Sequence, residues 1–170
     1  VINNVTFGSQ FTIEMLVNIS VSKGVYLFSI SRTKTDGKNM AILGLSSGVL
    51  YHLDNKVVDN KLCFWDHSTT YGFSCNDPNN YSTIALKPHQ TYHIAFVKNG
   101  LTGTYYVNGQ LAGTVSAAVD VHYDNDSVYL GVNSRLVGDY SGNSGSPIGS
   151  PTYFNGYMDE VRIWNVARTQ

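Results

Sequence analysis

Charge is scarce in this 170-residue chain: Asp, Glu, Lys and Arg together make up 14%, against about 25% in an average soluble protein. The 11 basic residues are scattered among 12 acidic ones. No basic stripe can therefore neutralise a run of phosphates, which argues against nucleic acid and against an anionic membrane surface as partners. No apolar run approaches the roughly 18 residues that span a bilayer, so direct membrane insertion is not expected. The first residues lack the basic-then-apolar pattern of a secretory signal, so a signal, if the protein is secreted, lies outside this chain. Glutamate occurs only at Glu14 and Glu160, and cysteine only at Cys63 and Cys75. No phosphate-binding Gly-rich loop, His/Cys metal cluster or serine nucleophile elbow is present.

Neutral polarity fills the gap, with 16 Asn, 17 Ser and 13 Thr beside 42% hydrophobic residues. That balance fits a single globular core, and a chain of this size buries roughly 70% of its unfolded surface without needing a staple. The apolar residues alternate with polar ones rather than recurring at helical spacing. In Phe11-Thr-Ile-Glu-Met-Leu-Val-Asn-Ile-Ser20 every odd position is apolar and the even ones, Leu16 apart, are polar, which predicts a strand with one face on a core. Similar runs at 25–32, 40–45, 49–53, 62–66, 71–75, 92–98, 104–107, 110–115, 127–132 and 157–164 predict around eleven short strands. Turn pairs separate them, the sharpest being Asn108-Gly109, whose two-residue loop demands positive φ at both positions. A single helical turn is expected only at Val166–Thr169. The chain reads as an all-β, two-sheet antiparallel sandwich in one domain, 1–170.

The segments around Cys63 and Cys75 read as two strands joined through Ser68-Thr69-Thr70. Folded symmetrically about Thr69, Cys63 faces Cys75, Trp65 faces Phe73 and His67 faces Tyr71, an arrangement that permits a cross-strand disulfide. Two half-buried free thiols are the alternative. A disulfide implies an extracellular or cell-surface setting. Four Asn-x-Ser/Thr acceptors, Asn4, Asn18, Asn80 and Asn125, are compatible with a glycoprotein, although an Asn- and Ser-rich chain produces such triplets by chance.

Three segments carry a resemblance: Gln10–Asn18; Gln90–Lys98 running into Thr104-Tyr-Tyr-Val-Asn-Gly-Gln-Leu-Ala-Gly-Thr114; and Tyr129-Leu-Gly-Val with Phe154-Asn-Gly-Tyr-Met-Asp-Glu-Val-Arg-Ile-Trp-Asn-Val-Ala-Arg168. In this order they resemble the laminin G-like jelly rolls of the concanavalin A-like lectin and glucanase superfamily. The resemblance implies two packed, curved antiparallel sheets, and a first strand that here is short or missing. It also implies a piece of a longer protein. It does not fix an activity, since that scaffold hosts glycan binders, adhesion modules and glycosidases.

Glycoside hydrolysis needs two carboxylates in separate roles. No Glu-x-Asp-x-x-Glu strand is present, and Asp159 and Glu160, being adjacent, should face opposite ways, so the chain is read as non-catalytic. The expected function is calcium-assisted carbohydrate binding through rim loops, with protein-protein adhesion or a structural role without a glycan site as the alternative. The partner is then a glycan or a cell-surface or matrix protein. Trp65, Asp66, His67 and Tyr71 at the cysteine hairpin combine a ring with polar groups able to order sugar hydroxyls, although Trp65 opposite Phe73 is also what a core-facing pair looks like. Tyr140 and Asn143, on the strand-free stretch 138–152, complete the proposed ligand set. Calcium has two candidate locations: Asp124 and Asp126, with Asp120 behind them, on one loop, and Asp159, which alternation places beside inward Val161 and Ile163. A carboxylate there needs an ion or backbone N–H donors. Composition does not indicate an oligomeric state.

Overall fold

A computed structural model describes residues 1–20, 25–31, 40–47, 59–67, 73, 75, 78–132 and 153–169. Ten strands lie within them: β1 (Ile2–Phe7), β2 (Gln10–Ile19), β3 (Val25–Ser31), β4 (Met40–Ser47), β5 (Asp59–His67), β6 (Thr91–Asn99), β7 (Thr102–Val107), β8 (Gln110–Ser116), β9 (Tyr123–Leu130) and β10 (Gly156–Trp164), with one 3-10 turn at Pro78–Asn80. They form two five-stranded antiparallel sheets, sheet A in the order β1-β9-β3-β4-β5 and sheet B in the order β10-β2-β6-β7-β8. The expected sandwich is therefore present. Strand expectations at 49–53 and over most of 71–75 lie outside the described residues, as does the stretch 138–152.

Alternation places the core. Phe11, Ile13, Met15, Val17 and Ile19 of β2 are all buried and meet Leu27, Phe28, Ile30, Leu43 and Phe64 of sheet A. The rings of Phe64 and Phe96, one from each sheet, stack with centroids 4.2 Å apart. Gly103 makes room for that stack, since a Cβ on it would lie 2.7 Å from Phe96 Cζ. The buried Tyr105 hydroxyl ties the layers by accepting the Phe64 N–H at 2.8 Å and donating to the Asn80 carbonyl at 3.1 Å. Burial pushes its phenol well above the ordinary range. The Asn108-Gly109 turn forms as expected, with φ of 50° and 74°.

One expectation is narrowed and another corrected. The first strand is short rather than missing: β1 has six residues and pairs with β9, with register shifts between Ile2 and Val5 and between Val5 and Phe7. Asn4 at φ 60° marks the first of these irregularities, which breaks the alternation by which a strand is read. The tail at 166–169 makes no helical turn; instead Thr12 Oγ1 donates to the Val166 carbonyl at 2.8 Å and accepts the Arg168 N–H at 3.0 Å, folding the tail back over β2.

Candidate functional site

The cysteine hairpin does not assemble the predicted sugar site within the described residues. Cys63 and Cys75 are joined as a disulfide with Cα atoms 6.0 Å apart. Trp65 and Phe73 do not pair on the core, because inward positions of β5 are Leu62, Phe64 and Asp66. Phe73 meets Phe64 edge-on at 5.8 Å, while Trp65 is only half-buried. Asp66 is 3% exposed, enclosed below the surface rather than offered to a solvent-borne ligand. The His67 side chain, Tyr71, Tyr140 and Asn143 lie outside the described residues.

The acids assigned to calcium are placed differently from the expectation. Asp124 and Asp126 lie on β9 rather than on a loop; Asp126 is 1% exposed, and the Asp124 side chain lies outside the described part. Asp120 is committed elsewhere: its carboxylate pairs with Lys98 Nζ and lies 3.4 Å from His122 Nε2. Lys98 is fully buried on the inner face of β6 beside Ile94 and Phe96, and also donates to the Ser9 carbonyl at 3.2 Å. Burial alone would raise the Asp120 carboxyl, but hydrogen bonds from Lys98, Ser9 and His122 and the Lys98 charge outweigh it and hold the group below its usual value. Among the described residues no group of three or more His, Cys, Asp and Glu side chains is placed to hold a metal.

Asp159 is where alternation failed most usefully. Asp159 pairs with Leu16 and Arg162 with Glu14, so Glu160 and Val161 together oppose Met15 alone. Glu160 takes φ 51° at this β-bulge. The extra residue inverts the facing of everything beyond it. Met158, Val161 and Ile163 pack against the core, while Asp159 is turned outward and exposed, accepting the Glu160 N–H at 2.8 Å.

Uninterrupted β2 reports which side chains share the outer face. Tyr157, Asp159, Arg162 and Trp164 pair with Asn18, Leu16, Glu14 and Thr12, the positions that alternate with its core-facing ones, Thr12 being itself buried beneath the 166–168 tail. Across β2, His93 pairs with Leu16 and Thr91 with Asn18. Glu14 is the hub: its carboxylate lies 3.6 Å from Arg162, 3.7 Å from Arg168 and 3.9 Å from His93. Arg162 also pairs with Glu160. Arg168 stacks 4.3 Å above the Trp164 ring, and Asn18 Nδ2 donates to Thr91 Oγ1 at 3.1 Å. Arg162 is 49% exposed, and Tyr157 is 80% exposed. Sequence reading missed the Glu14 hub because it depends on the pairing of strands distant in sequence. The one signal available was the outward polar set Thr12, Glu14 and Asn18 on an otherwise apolar strand.

The acceptor asparagines are dispersed: Asn4 is exposed on β1, Asn18 is half-buried on this outer face, and Asn80 lies in the 3-10 turn. The Asn125 side chain is outside the described part.

A laminin G-type family model, described as the concanavalin A-like lectin/glucanases superfamily, matches residues 1–170. The chain belongs to this superfamily. Among solved structures it is similar to a heptameric SAP-like pentraxin from Limulus polyphemus, at TM-score 0.63 and 16% identity over 99% of this chain and 69% of that one. It is also similar to domain 4 of a GH43 extracellular arabinanase from Geobacillus stearothermophilus in complex with arabinotriose, at TM-score 0.63 and 16% identity, covering 99% of this chain and 66% of that one. A Trypanosoma rangeli sialidase in complex with sialic acid aligns at TM-score 0.56 and 18% identity, over 94% of this chain but 21% of the enzyme. At such identities these likenesses establish the shared fold. No curated protein matches the chain by sequence.

Proposed function

We propose that the chain is a non-catalytic carbohydrate-binding module whose ligand surface is the outer face of sheet B, rather than the rim loops. The observation that carries this reading is the bulge at Glu160, which brings Tyr157, Arg162 and Trp164 onto one open face beside Glu14 and Asn18. Rings supply stacking surfaces for the apolar faces of sugars, and fixed carboxylate, guanidinium and amide groups order hydroxyls. Membership of a superfamily that includes lectins supports the same reading.

The two glutamates share this face, but Arg162 pairs with both. That arrangement presents two ordered hydrogen-bond acceptors to a ligand. The Cys63–Cys75 bridge supports an extracellular setting. Calcium is a separate proposal resting on Asp124 and Asp126, and its readout is a higher melting temperature with calcium than with chelator. No contact to sugar is assigned to the ion.

A panel of immobilised neutral and acidic oligosaccharides tests the function. Wild-type protein should be retained by a subset of them, Arg162→Ala should bind that subset at least tenfold more weakly, and no reducing sugar should be released. Retention by no glycan, or unchanged binding by Arg162→Ala, contradicts the reading, and turnover contradicts its non-catalytic part.

Adhesion to a protein is favoured by one other observation. A groove of about 500 Å³ between β1 and β10 is lined by Ile2, Val5, Phe7, Leu130, Val161 and Ile163, and Ile2 and Leu130 are 47% and 40% exposed. An apolar groove of this kind suits a side chain of a partner protein. Capture of matrix or cell-surface protein that Ile2→Asp abolishes and Arg162→Ala leaves intact would establish that reading over the glycan one.

A further inference from the structure

We infer that the glycan is a linear oligosaccharide lying along β10, bracketed by Tyr157 at one end and the Trp164–Arg168 pair at the other. This rests on the outer face of sheet B being the ligand surface, and it adds the length and direction of the ligand.

The argument begins with parity. Tyr157 and Trp164 are seven positions apart, an odd interval, so a regular strand would send their side chains to opposite faces. The bulge supplies the one-residue correction, and their partners Asn18 and Thr12 both lie on the outward side of β2. The correction has a conformational cost, since Glu160 occupies left-handed backbone at φ 51°, a region that residues other than glycine, asparagine and aspartate seldom use. Bulges of this kind re-aim side chains next to functional surfaces.

Spacing then sets the ligand length. Thr12 and Asn18 are six residues apart on unbroken β2, which puts the two aromatic positions about 20 Å apart at ~3.4 Å per residue. That distance is far too long for one sugar ring and corresponds to about four ring-to-ring steps, or about five linked rings, in an extended chain. The interval between the platforms is polar: Asp159, Glu160 and Arg162 on β10, with Glu14 behind Arg162. Trp164 remains 37% exposed with Arg168 over its ring. The arrangement places an open ring at one end, a guanidinium-covered ring at the other and hydrogen bonding between, the pattern suited to internal units of a chain rather than to a single terminal residue held in a pocket.

The test is a calorimetric titration with arabino-, xylo- and cello-oligosaccharides of one to six residues, against wild type, Tyr157→Ala and Trp164→Ala. In the series that binds, affinity should rise at least tenfold between the disaccharide and the tetrasaccharide and level off by the pentasaccharide. Each single variant should lose about five- to tenfold on the tetrasaccharide. Trp164 also lines the apolar groove, so the Tyr157 variant, whose side chain is almost free of packing, is the cleaner arm. A monosaccharide binding as tightly as the tetrasaccharide, or a tetrasaccharide unaffected by Tyr157→Ala, overturns the linear arrangement while leaving glycan binding on this face intact. No binding at any length in any series overturns both.

Discussion

Sheet B carries two charged clusters of similar make-up on opposite faces. On the inner side, Lys98 is fully buried and meets Asp120, with His122 and Ser9 closing around the carboxylate. On the outer side, Glu14 gathers Arg162, Arg168 and His93 within 4 Å, yet each of those side chains is 39% to 49% exposed. The chemistry is nearly the same and the surroundings are not. A charge with no access to water depends entirely on its partner, whereas exposed partners can be exchanged for water or for a ligand's hydroxyls at little cost. The inner cluster therefore stabilises the fold, and the outer one is available for recognition.

Removing the inner partner should have the largest effect. Asp120→Ala leaves an uncompensated buried ammonium and should cost about 3–5 kcal/mol, measured by urea unfolding. Replacing both members, as in Lys98→Met with Asp120→Ala, should recover most of that loss; failure to recover would mean that Lys98 is not held chiefly by Asp120. The same pair predicts an acid limb. Because the folded-state carboxyl is held below its usual value of 3.8, its contribution is complete above that pH and disappears as pH falls through the depressed value. Wild type should lose stability below about pH 4 more steeply than the double variant does.

A smaller effect is expected at the bulge that separates the faces. Glu160→Val places a β-branched residue at φ 51° and should cost about 1–2 kcal/mol, whereas Glu160→Gly relieves the backbone at no such penalty. Equal losses for both would indicate that the Glu160–Arg162 pair, not the backbone, is what the position contributes. The smallest stability change belongs to the outer cluster. Arg162→Ala should alter unfolding free energy by less than ~1 kcal/mol, while still weakening glycan retention. A stability loss as large as that of Asp120→Ala would erase the distinction between the two clusters.

The sequence made the architecture readable wherever alternation was unbroken. β2 and the β6–β8 meander were legible because Phe11 to Ile19 and the Asn108-Gly109 turn obey local rules that need no partner strand. Lys98 was partly legible: it shares parity with buried Ile94 and Phe96, although charge alone reads as outward. β1 was not, since its two register shifts leave only Phe7 of its six residues buried. Asp159 was misread for the same physical reason, because a bulge inserts one residue and transfers every later side chain to the other face without any sign in the composition. The Glu14 hub of the outer cluster could not be read, since Glu14 and Arg162 are brought together only by the β2–β10 register.

Backbone amide shifts recorded during titration with a binding oligosaccharide test the central claim most directly. Perturbations confined to 12–18, 91–95 and 157–168 are the predicted outcome. Perturbations centred on 63–67 and 73–75, with the β10 amides unmoved, would contradict it and return the ligand to the disulfide hairpin.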